Sequence, residues 1–238
     1  MRIAILAALP GELKPLVKGW QSFKTPPGIY GWRKSTVGEE LIAVCAGMGS
    51  DAARRSFAAA EAVGPLDRVL SVGWAGALVP QADPGTCYRV SEIIDAQTGE
   101  RFNSGRGFSE SRLVTTAHVA GAAEKLRLAS SYGAVLVDME AAAIARLAQM
   151  RGIPIACFKA VSDGVDARLP DLNRFIDPQG QMKMLAFLSH VSVRPRFWSP
   201  LGRLGRTSAT AAQQLARAIT AFLDAERSSR INERGDPA

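Results

Sequence analysis

Two acidic positions in this chain stand where apolar strands hand over to turns, and carboxylates so placed either cap helices or do chemistry. The run Val137-Asp138-Met139-Glu140-Ala141-Ala142-Ala143-Ile144-Ala145 sets two acids between an apolar strand and an alanine-rich helix. Capping alone accounts for both, with Asp138 near the N-cap and Glu140 in a first turn where the helix dipole favours negative charge. The second position, Ser162-Asp163, follows another long apolar strand, where a carboxylate faces either solvent or a ligand cleft. Three strand ends carry small-residue turns: Gly47-Met48-Gly49-Ser50, Gly73-Trp74-Ala75-Gly76 and Ser162-Asp163-Gly164. In open α/β sheets, ligands bind beyond the carboxyl ends of strands, so these turns are where chemistry is to be sought. One glycine turn is ordinary backbone economy; three in one chain are a pattern.

The elements that must position these residues alternate along the chain. Strand patterns cover Ile3 to Ala7, Leu41 to Ala46, Arg68 to Val72, Tyr88 to Ile94, Ala134 to Val137 and Ile155 to Ala160. Helical patterns cover Glu12 to Trp20, Asp51 to Ala62, Glu140 to Arg151, Met182 to Val191 and Ala209 to Leu223. Near-continuous apolar strands punctuated by helices predict a single-domain α/β/α sandwich with a central mixed sheet covered on both faces. The domain is expected over residues 1–225, with 168–225 as a helical C-terminal extension and 226–238 as a frayed tail.

Composition narrows the class. The chain has 238 residues, 47% of them hydrophobic and 21% charged, enough to bury one large core. No stretch reaches the roughly 18 apolar residues that a membrane span needs. The first strand meets Pro10 and Gly11 too early for a signal peptide, and Cys45, Cys87 and Cys157 sit in apolar runs without metal-ligand spacing. These features predict reduced thiols and a cytoplasmic protein. No metal site is expected, since His118 and His190 are isolated. Net charge is +7, and seven arginines between Arg194 and Arg230 face only Asp224 and Glu226. Such a segment can meet nucleic acid, an anionic membrane surface, a second subunit or solvent. Nucleic acid is disfavoured, because no recognised binding motif or stacking platform accompanies the arginines.

Four motifs, in order, resemble the nucleoside phosphorylase and nucleosidase superfamily, in particular the methylthioadenosine/S-adenosylhomocysteine nucleosidases. They are the first strand followed by Glu12, the turn Ser71-Val72-Gly73-Trp74-Ala75-Gly76-Ala77-Leu78, the run Val137 to Ala145, and Ala160-Val161-Ser162-Asp163. The resemblance covers roughly residues 1–165. It implies cleavage of the bond between a purine base and ribose, without a cofactor, by a homo-oligomer. Residue by residue, it makes Asp163, beside Ser162, the general acid toward N7 of the departing base. Glu140 would accept the ribose 2′ and 3′ hydroxyls, Met139 would pack on the sugar, and Met48 would lie near the 5′ substituent. Ala117-His118-Val119 would flank the base, and Glu12 would activate water.

Such a reaction passes through a ribosyl cation while negative charge builds on the base. An aspartate near its reference pKa of about 3.9 is ionised at neutral pH. The site must therefore raise that pKa by burial, or a shared hydrogen bond must hold the proton in place. Trp74 departs from the pattern: relatives carry a small residue in that turn, and in phosphorylases a Ser or Thr there helps hold phosphate. Phosphate as co-substrate is thus left open against water. The polar span between Ile94 and Leu113 is short, which implies a rebuilt loop over the base.

Beyond Asp163, the segments Leu169 to Asp177, Val193 to Trp198 and Leu201 to Ala209 resemble the hopanoid-associated phosphorylases. That likeness implies adenosylhopane, a purine nucleoside with a bulky apolar 5′ group. Phe197, Trp198, Leu201 and Leu204 among arginines suit an interfacial surface, or else cover the sheet or a subunit contact. Other readings are a methylthioadenosine/S-adenosylhomocysteine-type nucleosidase, a salvage purine nucleoside phosphorylase, or a catalytically silent membrane-surface or ligand-binding module on the same fold.

Overall fold

A computed structural model describes residues 1–105, 111–167 and 170–234. Its frame is one mixed sheet of eleven strands. The centre is parallel: β4 (Glu39–Cys45), β1 (Arg2–Ala7), β5 (Arg68–Ala77) and β11 (Ile155–Asp163) lie side by side in that order. On one flank β3 (Tyr30–Thr36) and β2 (Gln21–Ser22) add antiparallel strands. On the other, β10 (Leu136–Asp138) meets the end of β5 and leads to β9 (Arg112–Thr115), β7 (Glu92–Asp95) and β8 (Arg101–Asn103). The short β6 (Cys87–Val90) pairs with β11.

Alternation along β1 shows why the sheet is covered twice. Ile3, Ile5 and Ala7 face α1 (Pro10–Leu13) and the long α6 (Trp198–Arg234), packing with Leu13, Ala211, Leu215, Ile219 and Phe222. Ala4 and Leu6 face the opposite layer, formed by α2 (Ser50–Glu61) and α4 (Ala141–Met150), through Ala53, Phe57, Ala60, Ile144 and Ala148. Another helix, α3 (Ala122–Tyr132), covers the β9–β10 flank through Leu128. The expected sandwich is what the chain forms.

Several boundaries differ for physical reasons. The helix expected from Glu12 to Trp20 stops at Leu13, because Pro15 has no N–H to continue the ladder. The strand expected from Tyr88 to Ile94 breaks at Ser91 into β6 and β7, which serve different partners. α6 runs well past Leu223, so residues 226–234, expected as a frayed tail, are helical. There Arg227 and Arg230 pair with the buried Glu39, an acid that burial would penalise without them. Residues 106–110, within the span read as a rebuilt loop, lie outside the described residues, as do 168–169 and 235–238. No helix among the described residues is long and apolar enough to cross a membrane.

Candidate active site

One cavity of about 230 Å³ opens at the carboxyl ends of β1, β5, β10 and β11. Glu12, Met48, Trp74, His118, Val119, Met139, Glu140, Ser162 and Asp163 all line it. Of the residues that the sequence placed at the site, only Gly73, which stands behind Glu12, and Ala117 are not in the lining.

Glu12 is fixed from below. Its carboxylate accepts the backbone N–H groups of Ala8 (2.9 Å), Leu9 (2.7 Å) and Trp74 (2.7 Å). Gly73, at φ +145°, makes the last contact feasible: a Cβ there would stand 2.7 Å from Glu12 Oε1. Burial raises the Glu12 pKa above the usual carboxylate range, although the three N–H groups and the Lys159 charge oppose it.

The two acids of the 137–145 run have separate duties. Asp138 is the capping residue: its Oδ2 accepts the N–H of Ala141 at 2.9 Å and meets Lys159 Nζ at 2.7 Å, while Thr115 donates to Oδ1 at 2.6 Å. The Lys159 ammonium, in the middle of apolar β11, is disfavoured by burial, but Asp138 overrides this and holds its pKa above the ordinary lysine value. Glu140 stands at the N-cap position of α4 without capping it. Its side chain instead reaches across to accept the Gly49 N–H at 2.7 Å. Burial, then the neighbouring Asp138 charge, pushes the Glu140 pKa up to about 7.

Asp163 closes β11 after a register shift between Val161 and Asp163, a bulge of the kind that re-aims a side chain at a strand end. The Ser162 hydroxyl donates to Asp163 Oδ1 at 2.7 Å, and Lys125 Nζ lies 2.5 Å from Oδ2. Lys125 comes from α3, is buried, and also donates to the Gly164 carbonyl at 2.8 Å. Ser162 and Lys125 thus each aim a donor at one oxygen of Asp163, and Lys125 is the cationic donor beside it.

The C-terminal extension roofs the cavity. A short 3-10 turn, Leu172–Phe175, places the Asn173 amide against Val119, accepting its N–H at 2.8 Å and donating to its carbonyl at 3.1 Å. Farther along, Met48 N–H donates to the Gly180 carbonyl at 2.8 Å, and Gln181 Nε2 donates to the Ala46 carbonyl at 2.9 Å. Leu172, Met182 and Leu204 add apolar lining. His118 stays at the rim, its ring 2.9 Å from Glu124.

Sequence reasoning missed Lys125, Lys159 and Asn173. A lone lysine inside the apolar run 155–161 was a legible signal, since a buried ammonium requires a buried partner. Lys125 stands three residues before the buried Leu128 on the inner face of α3, a weaker cue. Nothing local marks Asn173.

A profile of the Phosphorylase superfamily matches residues 2–117 and 98–191. The chain belongs to that superfamily. No curated protein matches it in sequence. Solved structures of the same fold include a Helicobacter pylori 5′-methylthioadenosine/S-adenosylhomocysteine nucleosidase, at TM-score 0.71 and 15% identity over 94% of this chain and 98% of that one. Futalosine hydrolase of Helicobacter pylori gives TM-score 0.71 and 15% identity over 94% and 97%. A 5′-methylthioadenosine/S-adenosylhomocysteine nucleosidase of S. pneumoniae, solved with a transition-state inhibitor, gives TM-score 0.68 and 19% identity over 94% and 98%. At these identities the likeness speaks for the fold, and the superfamily assignment rests on the profile.

Proposed function

We propose that this phosphorylase-superfamily chain cleaves the N-glycosidic bond of a purine ribonucleoside bearing an apolar 5′ substituent, with water as nucleophile. The observation that carries the reading is that Glu140, Asp163 and Glu12, far apart in sequence, line one cavity with different partners. Glu140 holds the ribose hydroxyls and favours positive charge on the sugar, with Met139 against the ring. As the C1′–N9 bond breaks, its electron pair goes to the base, and N7 takes a proton from the Asp163–Lys125 pair. Water adds to C1′ and gives its proton to Glu12, which lines the same cavity.

Charge favours water over phosphate. With Asp138 neutralised by Lys159, the lining still sets Glu12, Glu140 and Asp163 against Lys125 and the rim residue His118, a balance that does not favour a phosphate dianion. Trp74 occupies the turn where a phosphate-holding hydroxyl would stand. The solved relatives named as nucleosidases and a hydrolase fit the same reading. The apolar side chains of Met48, Leu172, Met182 and Leu204 suit a hydrophobic 5′ group, and the resemblance to the hopanoid-associated branch extends this to adenosylhopane.

Adenine release from a 5′-alkyl adenosine, with and without phosphate, tests the proposal. The expected result is free ribose product at a phosphate-independent rate. Release only with phosphate rejects water as nucleophile; no release at all leaves a silent binding module.

A further inference from the structure

Helix α5 (Met184–Ser192) carries no charged carboxylate, lysine or arginine, and none of its residues is buried. At about 100° per residue, Phe187 and His190 point one way while Met184, Leu185 and Leu188 point the other. The inner pair packs on Phe175, with ring centroids at 5.5 and 5.1 Å, and His190 also stacks on Phe197. The outer three are exposed, Leu185 to 83%, and Val193 and Trp198 continue the apolar surface past the helix end. This differs from the sequence expectation: Phe197 turns inward and Leu204 lines the cavity, so of the four residues proposed as interfacial only Trp198 is a large exposed one.

Along this stretch of chain the charge has one sign. From Pro178 to Leu223 there is no Asp or Glu, while Lys183, Arg194, Arg196, Arg203, Arg206 and Arg217 supply six cations. Some gather at the foot of α5, since His190 has its pKa lowered first by partial desolvation and then by Arg194, Arg174 and Arg196. The Trp198 indole N–H donates to the Val191 carbonyl at 3.0 Å, which fixes the ring at the helix end.

We infer that the outer face of α5, with its rim of arginines, docks on an anionic lipid bilayer. Apolar side chains enter the headgroup boundary while guanidiniums meet lipid phosphates. An isologous contact with a second copy would oppose arginine to arginine across the two-fold axis. A nucleic acid would use the arginines and leave Leu185 and Leu188 in water. The face goes beyond the proposed reaction, because α5 contributes nothing to the cavity lining. It nevertheless lies beside the mouth, for Met182 immediately precedes it.

The test is co-sedimentation of the full chain, without nucleoside, with vesicles of phosphatidylcholine alone or of an equal mixture with phosphatidylglycerol. The chain should pellet with the mixed vesicles at low salt and be released at high salt. Leu185→Glu with Leu188→Glu should cut binding by roughly tenfold or more without changing the melting temperature, and Arg196→Glu with Arg203→Glu should do likewise. Absence of binding at low salt overturns the inference. So does binding that survives the leucine changes and is matched by duplex DNA, which would mark a polyanion surface. A loss of oligomeric mass in the leucine variant, without vesicle binding by the parent chain, would assign the face to a second copy instead.

Discussion

Two lysine–aspartate pairs lie within reach of the same sheet, and their difference separates structure from chemistry. Lys159 and Asp138 meet at 2.7 Å with side chains 1% and 0% exposed. Both Asp138 oxygens are already engaged, by Thr115, Ala141 and Lys159. Lys125 and Asp163 meet at 2.5 Å with exposures of 5% and 16%; each aspartate oxygen has one donor, Ser162 or Lys125, and the side chain lines the cavity. A sealed, saturated pair fixes a strand end to a helix start. A less sealed pair that lines the cavity is the one from which the proposed reaction draws its proton.

The sharpest break is Asp163→Asn, which should lower kcat by about 10²–10⁴-fold while the melting temperature stays close to the parent's. Near-normal turnover would take Asp163 out of the mechanism. Lys159→Met should act on folding instead. Leaving Asp138 buried and unpaired costs about 3–5 kcal/mol in denaturant unfolding, and adding Asp138→Asn should restore part of it. An unchanged unfolding midpoint for Lys159→Met would deny the sealed pair its structural role.

Lys125→Met should slow neutral-pH turnover by about 10–100-fold and move the optimum to lower pH, because Asp163 must then draw its proton from solvent. A loss of equal size at every pH would reduce Lys125 to a packing role. The smallest effect belongs to Glu140. Its folded pKa of about 7 lies above the ordinary 4.5, so the folded state binds the proton more tightly than the unfolded chain. The stability this group contributes is complete below the unfolded value and is lost as pH rises through about 7. Glu140→Gln should therefore be more stable than the parent above that pH, by roughly 1–3 kcal/mol, and similar in acid, with a raised KM for the nucleoside. Equal stability of the two proteins at alkaline pH would contradict the assignment.

Much of the fold was legible because its central strands are apolar on both faces, as β1, β4, β5 and β11 are. β3 and β9 were not, since β3 mixes Tyr30 and Trp32 with exposed polar residues and β9 is only four residues long. α3 escaped notice for a related reason: only Lys125 and Leu128 are buried along it. The acids of the site were legible as residues. Asp138 was legible as a capping residue, but that Glu140 would turn away from the helix to Gly49 was not, because both acids stand within one turn of its start.

The amino-acid sequence by itself determined the alternation of strand and helix, the glycine turns at the strand ends and the acidic residues stationed there. These are local matters of periodicity and backbone freedom. Only the tertiary structure decided which lysine answers which aspartate, since that depends on α3 bringing Lys125 to Asp163 and β11 bringing Lys159 to Asp138. It also decided that Asn173 and Gly180 roof the cavity and that α5 turns its leucines outward. Burial and pairing across distant segments set those outcomes, and neither is written in any one stretch of chain.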